Sequence, residues 1–447
     1  MCVNSYIKYV VVAFAVLFST TLFANPVIEH WTTHNGARVY YVHAPQLPMV
    51  DVRIVFDAGA ARDGKDPGLA LMTNGLMNEG ADGLNADEIA ERFESIGAEF
   101  GNGAYRDMAT LSLRTLSEKK IYDKAVATLA KILLHPNFPK DALARERSRM
   151  LTALKEEEQS PDSITEKAFY KAIYQGHPYS HMPEGTKNGI KSLDVKKLKA
   201  FYKRYYVGRN ATFAIVGDLD RQQAEQLAND LVGKLPAGKP APALPEVHAL
   251  KAAKEVRIEF PSTQTHILVG QPGMKRKDPD YFPLYVGNHM LGGSGLVSRL
   301  SDEIREKRGL AYTTYSYFMP MRQDGPYTIG VQTRNKSAEE SLKVLRETVA
   351  NFVKNGPTPK ELVASKKNIT GGFPLRISSN KKIINYIAMI GFYQMPLNYL
   401  DTFNDKVQAV TVKEIKKAFQ KRIHPDKMAT VMVGRLSAPG SADAGNK

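Results

Sequence analysis

Histidines, carboxylates and clustered glycines are the places where this 447-residue chain could do chemistry. Of ten histidines, His177 and His181 stand four apart. Two imidazoles at that spacing could share a metal on one helical face, but Pro178 between them disfavours a regular helix. A helical metal site at this pair is therefore not expected. His289 has no acidic neighbour in sequence and is expected to pack or lie at the surface. Glu156-Glu157-Glu158 concentrates carboxylates, yet such runs are commonly exposed helix ends. No Ser-His-Asp order with a nucleophile elbow is present, and the one cysteine is Cys2, so a chain without its first residues has no thiol nucleophile. Gly292, Gly293 and Gly295 lack the G-x-x-x-x-G-K-[ST] pattern and its lysine. They read as a tight turn feeding a helix from Leu296.

The elements that must position such groups come in two sets. Ala200-Phe201-x-Lys203-Arg204 recurs as Ala418-Phe419-x-Lys421-Arg422, an offset of 418 − 200 = 218. Ala211-Thr212 recurs as Ala429-Thr430, and Val216-Gly217 as Val433-Gly434. The strand beginning at Thr110 matches the segment beginning at Thr328, and Pro139-Lys140 matches Pro359-Lys360. Several matches in one order at nearly one offset indicate a duplicated unit of about 200 residues. The division expected is 1–24, 27–235, 236–246, 247–437 and 438–447. The first is a signal peptide: Lys8, the apolar run Tyr9–Phe18, then the small-residue site ending at Ala24. That run is too short for a usual membrane anchor. Residues 236–246 are a proline-rich, semi-extended linker between the two units, and 438–447 a disordered tail.

Within the first unit, Val50–Phe56 alternates apolar with polar, as a sheet buried on one face requires. Helices are expected at about 86–96, 118–134, 139–158 and 194–205, with Asn85 and Glu88 forming an N-terminal cap and Gly97 a stop. Strands are expected at 109–115 and 212–216. The class is α+β, two homologous domains, each a largely antiparallel sheet with helices packed on one face. The formal charge of +15, from 61 basic and 46 acidic residues, permits anionic partners. Export makes nucleic acid an improbable one, and the Lys196–Arg204 stretch is better read as a solvated helix face.

This order of segments resembles the pitrilysin/insulinase superfamily of zinc peptidases, over about Val27 to Leu436. The resemblance is carried by Gly68-Leu69-Ala70, Gly176-His177-Pro178-Tyr179, Val216-Gly217-Asp218-Leu219 and Leu291–Leu300 with Ile304–Tyr312. It implies each two-domain chain is half of a clamshell around extended peptides. Active members carry an inverted H-x-x-E-H motif after such a Gly-Leu-Ala: two histidines bind zinc and the glutamate serves as base. Aligned here, those places hold Leu71, Asn74 and Gly75. The third ligand is a glutamate seven residues beyond a Glu-Arg pair; from Glu146 the count reaches Ala153. Ligands and base are missing together, so the resemblance implies no metal on this chain. It also implies that Arg308 and Tyr312 match a substrate-binding, oxyanion-stabilising pair of the second domain. The bland alternative is that Arg308 pairs with a carboxylate such as Glu303 and Tyr312 merely packs.

Losing the metal half while keeping the Arg/Tyr half fits a division of labour. The expectation is a metal-free subunit of a periplasmic, heterodimeric zinc metallopeptidase, inactive alone. Its partner would be a homologous subunit carrying H-x-x-E-H and the zinc; substrates would be extended peptides. These would add a strand to a sheet edge placed, by resemblance, at Gly101–Ala109. Two alternatives stay open: a non-enzymatic peptide-binding or chaperone-like protein, and a self-sufficient zinc endopeptidase with a displaced metal site.

Overall fold

The structure is a computed structural model and describes residues 26–436. The expected signal peptide, 1–24, and tail, 438–447, lie outside the described residues. No helix among the described residues is long and apolar enough to cross a membrane.

The strands are, in chain order, β1 (Glu29–Thr32), β2 (Arg38–His43), β3 (Met49–Phe56), a short β4–β5 pair (Gly80–Ala81 and Leu84–Asn85), β6 (Glu99–Ala104), β7 (Ala109–Leu116) and β8 (Ala211–Gly217). The second unit supplies β9 (Lys254–Glu259), β10 (Gln264–Met274), β11 (Ala311–Phe318), β12 (Gly325–Arg334) and β13 (Ala429–Gly434). The first sheet runs β1-β2-β8-β3-β7-β6 and the second β11-β12-β10-β13-β9. Read from opposite ends, these are the same order, apart from β1, which has no counterpart. Only β2 with β8 and β9 with β13 pair parallel in the two large sheets. The internal repeat is thus a repeat of topology.

The helices of the first unit are α1 (Leu69–Gly75), α2 (Ala86–Glu94), α3 (Lys119–Leu134), α4 (Lys140–Glu157), α5 (Pro161–Tyr174), α6 (Lys187–Ser192), α7 (Val195–Tyr205) and α8 (Arg221–Asp230). Those of the second are α9 (Tyr281–Asn288), α10 (Ala338–Asn355), α11 (Pro359–Arg376), α12 (Asn380–Tyr393), α13 (Tyr399–Ala409) and α14 (Val412–Arg422). Local chemistry explains the boundaries. Asn85 accepts from the Glu88 N–H at 2.9 Å while Glu88 accepts from the Asn85 N–H at 2.8 Å, starting α2. Gly97 then takes φ +64°, where a side chain would be strained. The same capping box recurs at Thr358/Glu361 and Thr411/Glu414.

Each sheet is covered on its second face by a helix of the other unit. α5 lies on β10 and β13, while α12 lies on β8, β3 and β2. Both end on a glutamine in the left-handed region, Gln175 at φ 38° and Gln394 at φ 52°. The close approach explains two glycines. A Cβ on Gly270 would meet Phe169 of α5 at 2.8 Å, and one on Gly391 of α12 would meet Tyr40 at 2.6 Å. Burial of Phe169, Tyr170 and Ile173 against Val431 and Val433 makes this clasp a hydrophobic core shared by both units. Its polar centre is Asp107, which accepts from the hydroxyl of Tyr179, from Tyr393 Oη at 3.1 Å and from the Arg322 N–H at 2.7 Å.

The proline-rich stretch crosses the surface without regular structure. It is pinned by Arg62 to the Pro242 carbonyl at 2.7 Å and by the Ala241 N–H to Asn210 at 3.1 Å. The expected helix from Leu296 is absent. A π-helical turn (His289–Gly293), a short 3-10 turn (Gly295–Val297) and a second π-helical turn (Ser301–Glu306) occupy this region instead. Gly295 adopts φ +63°, which breaks the helical path before Leu296. The edge expected at Gly101–Ala109 is shorter in fact: β6 ends at Ala104, and Tyr105 to Met108 turn into β7.

Candidate functional site

The four positions aligned with the lost motif converge. Leu71, Asn74 and Gly75 on α1 and Ala153 on α4 line one cavity of about 740 Å³, with Asn102 and Gly103 of the free edge strand β6. Asp63 fixes the start of α1. Its buried carboxylate accepts from the Gly68 and Ala70 N–H groups, each at 2.7 Å. Burial pushes the Asp63 pKa up, against the hydrogen bond from His181 and those two amides.

These side chains do not fit a metal. Leu71, Gly75 and Ala153 carry no donor atom. Asn74 is fully buried, and its amide N–H groups go to the Thr110 carbonyl at 3.3 Å and the Tyr206 hydroxyl at 3.2 Å. Its Oδ1 has no partner among the described residues. An amide oxygen is a neutral ligand and cannot take a proton from water as a carboxylate does. The acids that line the cavity are engaged elsewhere or stand alone. Glu146 receives both Arg149 nitrogens at 2.6 and 2.7 Å, Glu79 pairs with Arg145 at 3.0 Å, and Glu184 adds a third carboxylate. No histidine lines the cavity. Among the described residues, no three His, Cys, Asp or Glu side chains cluster as a metal ion would require. Two arginine–glutamate pairs line the cavity instead.

Asn102, Asp63 and Arg149 were not singled out from sequence. Asn102 joins β6 to α1 by donating to the Asn74 carbonyl at 2.7 Å and to Asn78 Oδ1 at 3.0 Å. An asparagine between Gly101 and Gly103 was the only available hint.

Arg308 and Tyr312 lie elsewhere. Gly309, at φ +58°, ends the π-helical turn and lets β11 begin at Ala311. Arg308 Nη1 donates to Glu303 Oε2 at 2.6 Å and to the Glu303 carbonyl at 2.7 Å. Its surroundings are a polar depression that also contains Arg299, Glu347 and Glu361, not the cavity at α1. The ion pair anticipated as the bland alternative for Arg308 is therefore present. Tyr312 is 79% exposed on edge strand β11, with the Arg305 guanidinium 4.7 Å from its ring centre. Arg308 lines that depression and Tyr312 does not, and neither lines the cavity at positions 71, 74, 75 and 153.

The three histidines weighed from sequence make hydrogen bonds within the fold. His177 Nδ1 accepts from the Tyr179 N–H at 3.0 Å, and its Nε2 meets the Pro245 carbonyl at 3.0 Å, where burial lowers its pKa. His181 Nε2 lies 3.1 Å from the Ala60 carbonyl. His289 bridges Ser365 and Asn368, at 2.9 and 3.1 Å.

Comparison with known proteins adds the following. Residues 38–187 match the model described as insulinase (peptidase family M16), and residues 192–369 that of the peptidase M16 inactive domain. A crystal structure described as a peptidase M16 inactive domain from Pseudomonas fluorescens superposes with a TM-score of 0.89. It is 40% identical, and the match covers 92% of this chain and 98% of that one. The "Non-peptidase homolog YmxG" of Helicobacter pylori is 27% identical over 84% of this chain and 87% of its own length. The "Uncharacterized zinc protease YmxG" of Bacillus subtilis is 26% identical over 80% of this chain and 86% of its own.

Proposed function

Since the chain belongs to the insulinase (M16) peptidase family, we propose that it is that family's metal-free partner subunit: exported to the periplasm, inactive alone, and completing a peptide-cleaving chamber with a homologue that carries H-x-x-E-H and zinc. One observation carries this reading. The four positions that would build a zinc site form a real cavity beside a free edge strand, yet hold Leu71, Asn74, Gly75 and Ala153. A cavity beside a free edge strand is present while the donor set is gone.

Arg308 and Tyr312 fit the reading as outward-facing groups. Neither residue lines its own chain's cavity, and Tyr312 is exposed, so both could meet another subunit. Arg308 must leave Glu303 to do so. Both side chains are about one-third exposed, at 38% and 30%, and such a pair holds by only about 0.2–1 kcal/mol. Extended peptides are the substrates, added along β6 by backbone hydrogen bonding.

The test is to purify the mature chain and measure zinc and peptide cleavage, alone and mixed with an H-x-x-E-H homologue. The expected result is no stoichiometric zinc, no cleavage alone, and cleavage in the mixture that Arg308→Ala or Tyr312→Phe lowers at least tenfold. One tightly held zinc per chain would end the proposal. Unchanged activity in both mixed variants would remove the Arg/Tyr assignment.

The cavity with its free β6 edge also supports a second reading, a peptide-binding protein without a catalytic partner. It is distinguished by peptide binding that persists when no H-x-x-E-H homologue increases turnover.

A further inference from the structure

A second cleft, of about 480 Å³, opens on the C-terminal unit between the segment after β10 and the turn joining α12 to α13. It shares no lining residue with the cavity at α1. Its charges do not cancel. Asp278 is held by Arg422, and Asp280 beside it by Lys421 at 2.8 Å. Arg276, Lys277 and Lys406 line the same cleft and have no ion-pair partner among the described residues. Arg276 is the telling one: its Nε is buried and makes no hydrogen bond there. A buried guanidinium N–H left unmet is costly and calls for an explanation, and an anionic group bound beside it is one. The Arg276 guanidinium carbon stands 5.3 Å from the Tyr393 ring centre, and Lys406 Nζ stands 5.7 Å from that of Phe282. The walls between these cations are apolar and aromatic: Tyr281, Phe282, Met395 and Tyr399. α9 begins at Tyr281, so the partial positive charge of its first turn lies on the same side.

We propose that this cleft binds a small amphipathic carboxylate, one anionic group on an apolar or aromatic body. A planar carboxylate matches the arginine fork with two parallel hydrogen bonds. The aromatic walls take the rest of the ligand out of water, and the volume falls within the range of small-molecule sites. A free fatty or aromatic acid and the carboxyl terminus of a peptide share this chemistry.

Calorimetric titration of the mature chain tests it, with N-acetyl-L-phenylalanine, its carboxamide, octanoate and inorganic phosphate as probes. At least one carboxylate is expected to bind, and N-acetyl-L-phenylalanine, where it binds, at least tenfold more tightly than its amide. Arg276→Gln should weaken carboxylate binding roughly ten- to a hundredfold, and Lys406→Gln, on the exposed side of α13, several-fold. Tighter binding of octanoate would assign a free acid as the source; tighter binding of N-acetyl-L-phenylalanine would assign a peptide terminus. Either supports the proposal. Absence of carboxylate binding, equal binding of N-acetyl-L-phenylalanine and its amide, phosphate binding as tight as that of the carboxylates, or indifference to both substitutions would overturn it.

Discussion

Replacing Gly391 by alanine tests the clasp between the two units. A Cβ there would lie 2.5 Å from Thr212 Cγ2 and 2.6 and 2.7 Å from two ring carbons of Tyr40. Carbon atoms rest at about 3.5–4.0 Å, so the neighbours would have to retreat by roughly 1 Å. They cannot swing away. Thr212 is fully buried and accepts from Arg38 at 2.8 Å, and Tyr40 is 4% exposed and stacked on His30. Overpacking of this kind costs about 1–3 kcal/mol, offset by at most about 1 kcal/mol from the better helix propensity of alanine. The net expectation is a loss of about 1–2 kcal/mol, or a fall in Tm of roughly 2–8 °C for a cooperative unit of some 200 residues. Gly371, inside α11, is the control, because an added Cβ there meets nothing within 4 Å. Gly371→Ala should raise Tm slightly. Differential scanning calorimetry of both variants decides the matter. If Gly391→Ala is as harmless as Gly371→Ala, α12 does not press on β2 and β8, and the reciprocal clasp is wrong.

Two further substitutions probe the second unit. Glu303→Gln should lower Tm only marginally, because its partner Arg308 is part-exposed. In a mixture with an H-x-x-E-H homologue it should preserve or raise peptide turnover, since Arg308 keeps the Glu303 carbonyl but loses the charge that holds it; a loss as deep as that of Arg308→Ala would mean the ion pair itself is what matters. Glu361 offers a pH test. Burial would raise its pKa, but hydrogen bonds from Arg299 and Thr358 outweigh that and bring it down to about 2 from 4.5. A depressed carboxylate stabilises the fold above its unfolded pKa and loses that contribution as pH falls through the folded value. Wild type should therefore exceed Glu361→Gln by about 1–2 kcal/mol at neutral pH, allowing for solvent screening. The gap should close between pH 4.5 and about 2 in denaturant titrations.

The elements that sequence reveals best are those whose rule is local. The Asn85/Glu88 cap and the duplicated Ala-Phe-x-Lys-Arg segment each need only neighbouring residues, and each is found where expected. β3 is in place, but its alternation misjudges burial: α12 covers the second face, so Asp51 and Val55 are buried as well as Val50, Val52 and Ile54. α5, α6 and α8 of the first unit, and α12 and α13 of the second, were not legible from such a local rule. The aromatic residues of α5 face the opposite unit, so their partners lie on β10 and β13, remote in sequence. Positions 71, 74, 75 and 153 were legible only through the resemblance; that they share one cavity depends on α4 packing against α1, a contact remote in sequence. The surroundings of Arg308 were legible only as a choice between two partners. An arginine five residues from a glutamate on one turn finds it locally, whereas a partner in another subunit leaves no mark in this chain.

The sheet edges carry a further consequence, for handling the protein. β9 closes its sheet with Lys254, Glu255, Arg257 and Glu259, charges that repel an incoming strand. β6 carries only Glu99 at its start, and β11 carries no charge at all but three exposed tyrosines, Tyr312, Tyr315 and Tyr317. An edge left unguarded for one strand is unguarded for every strand. Copies of this chain are therefore expected to pair through β11 as they are concentrated, against the repulsion of a net charge of +15.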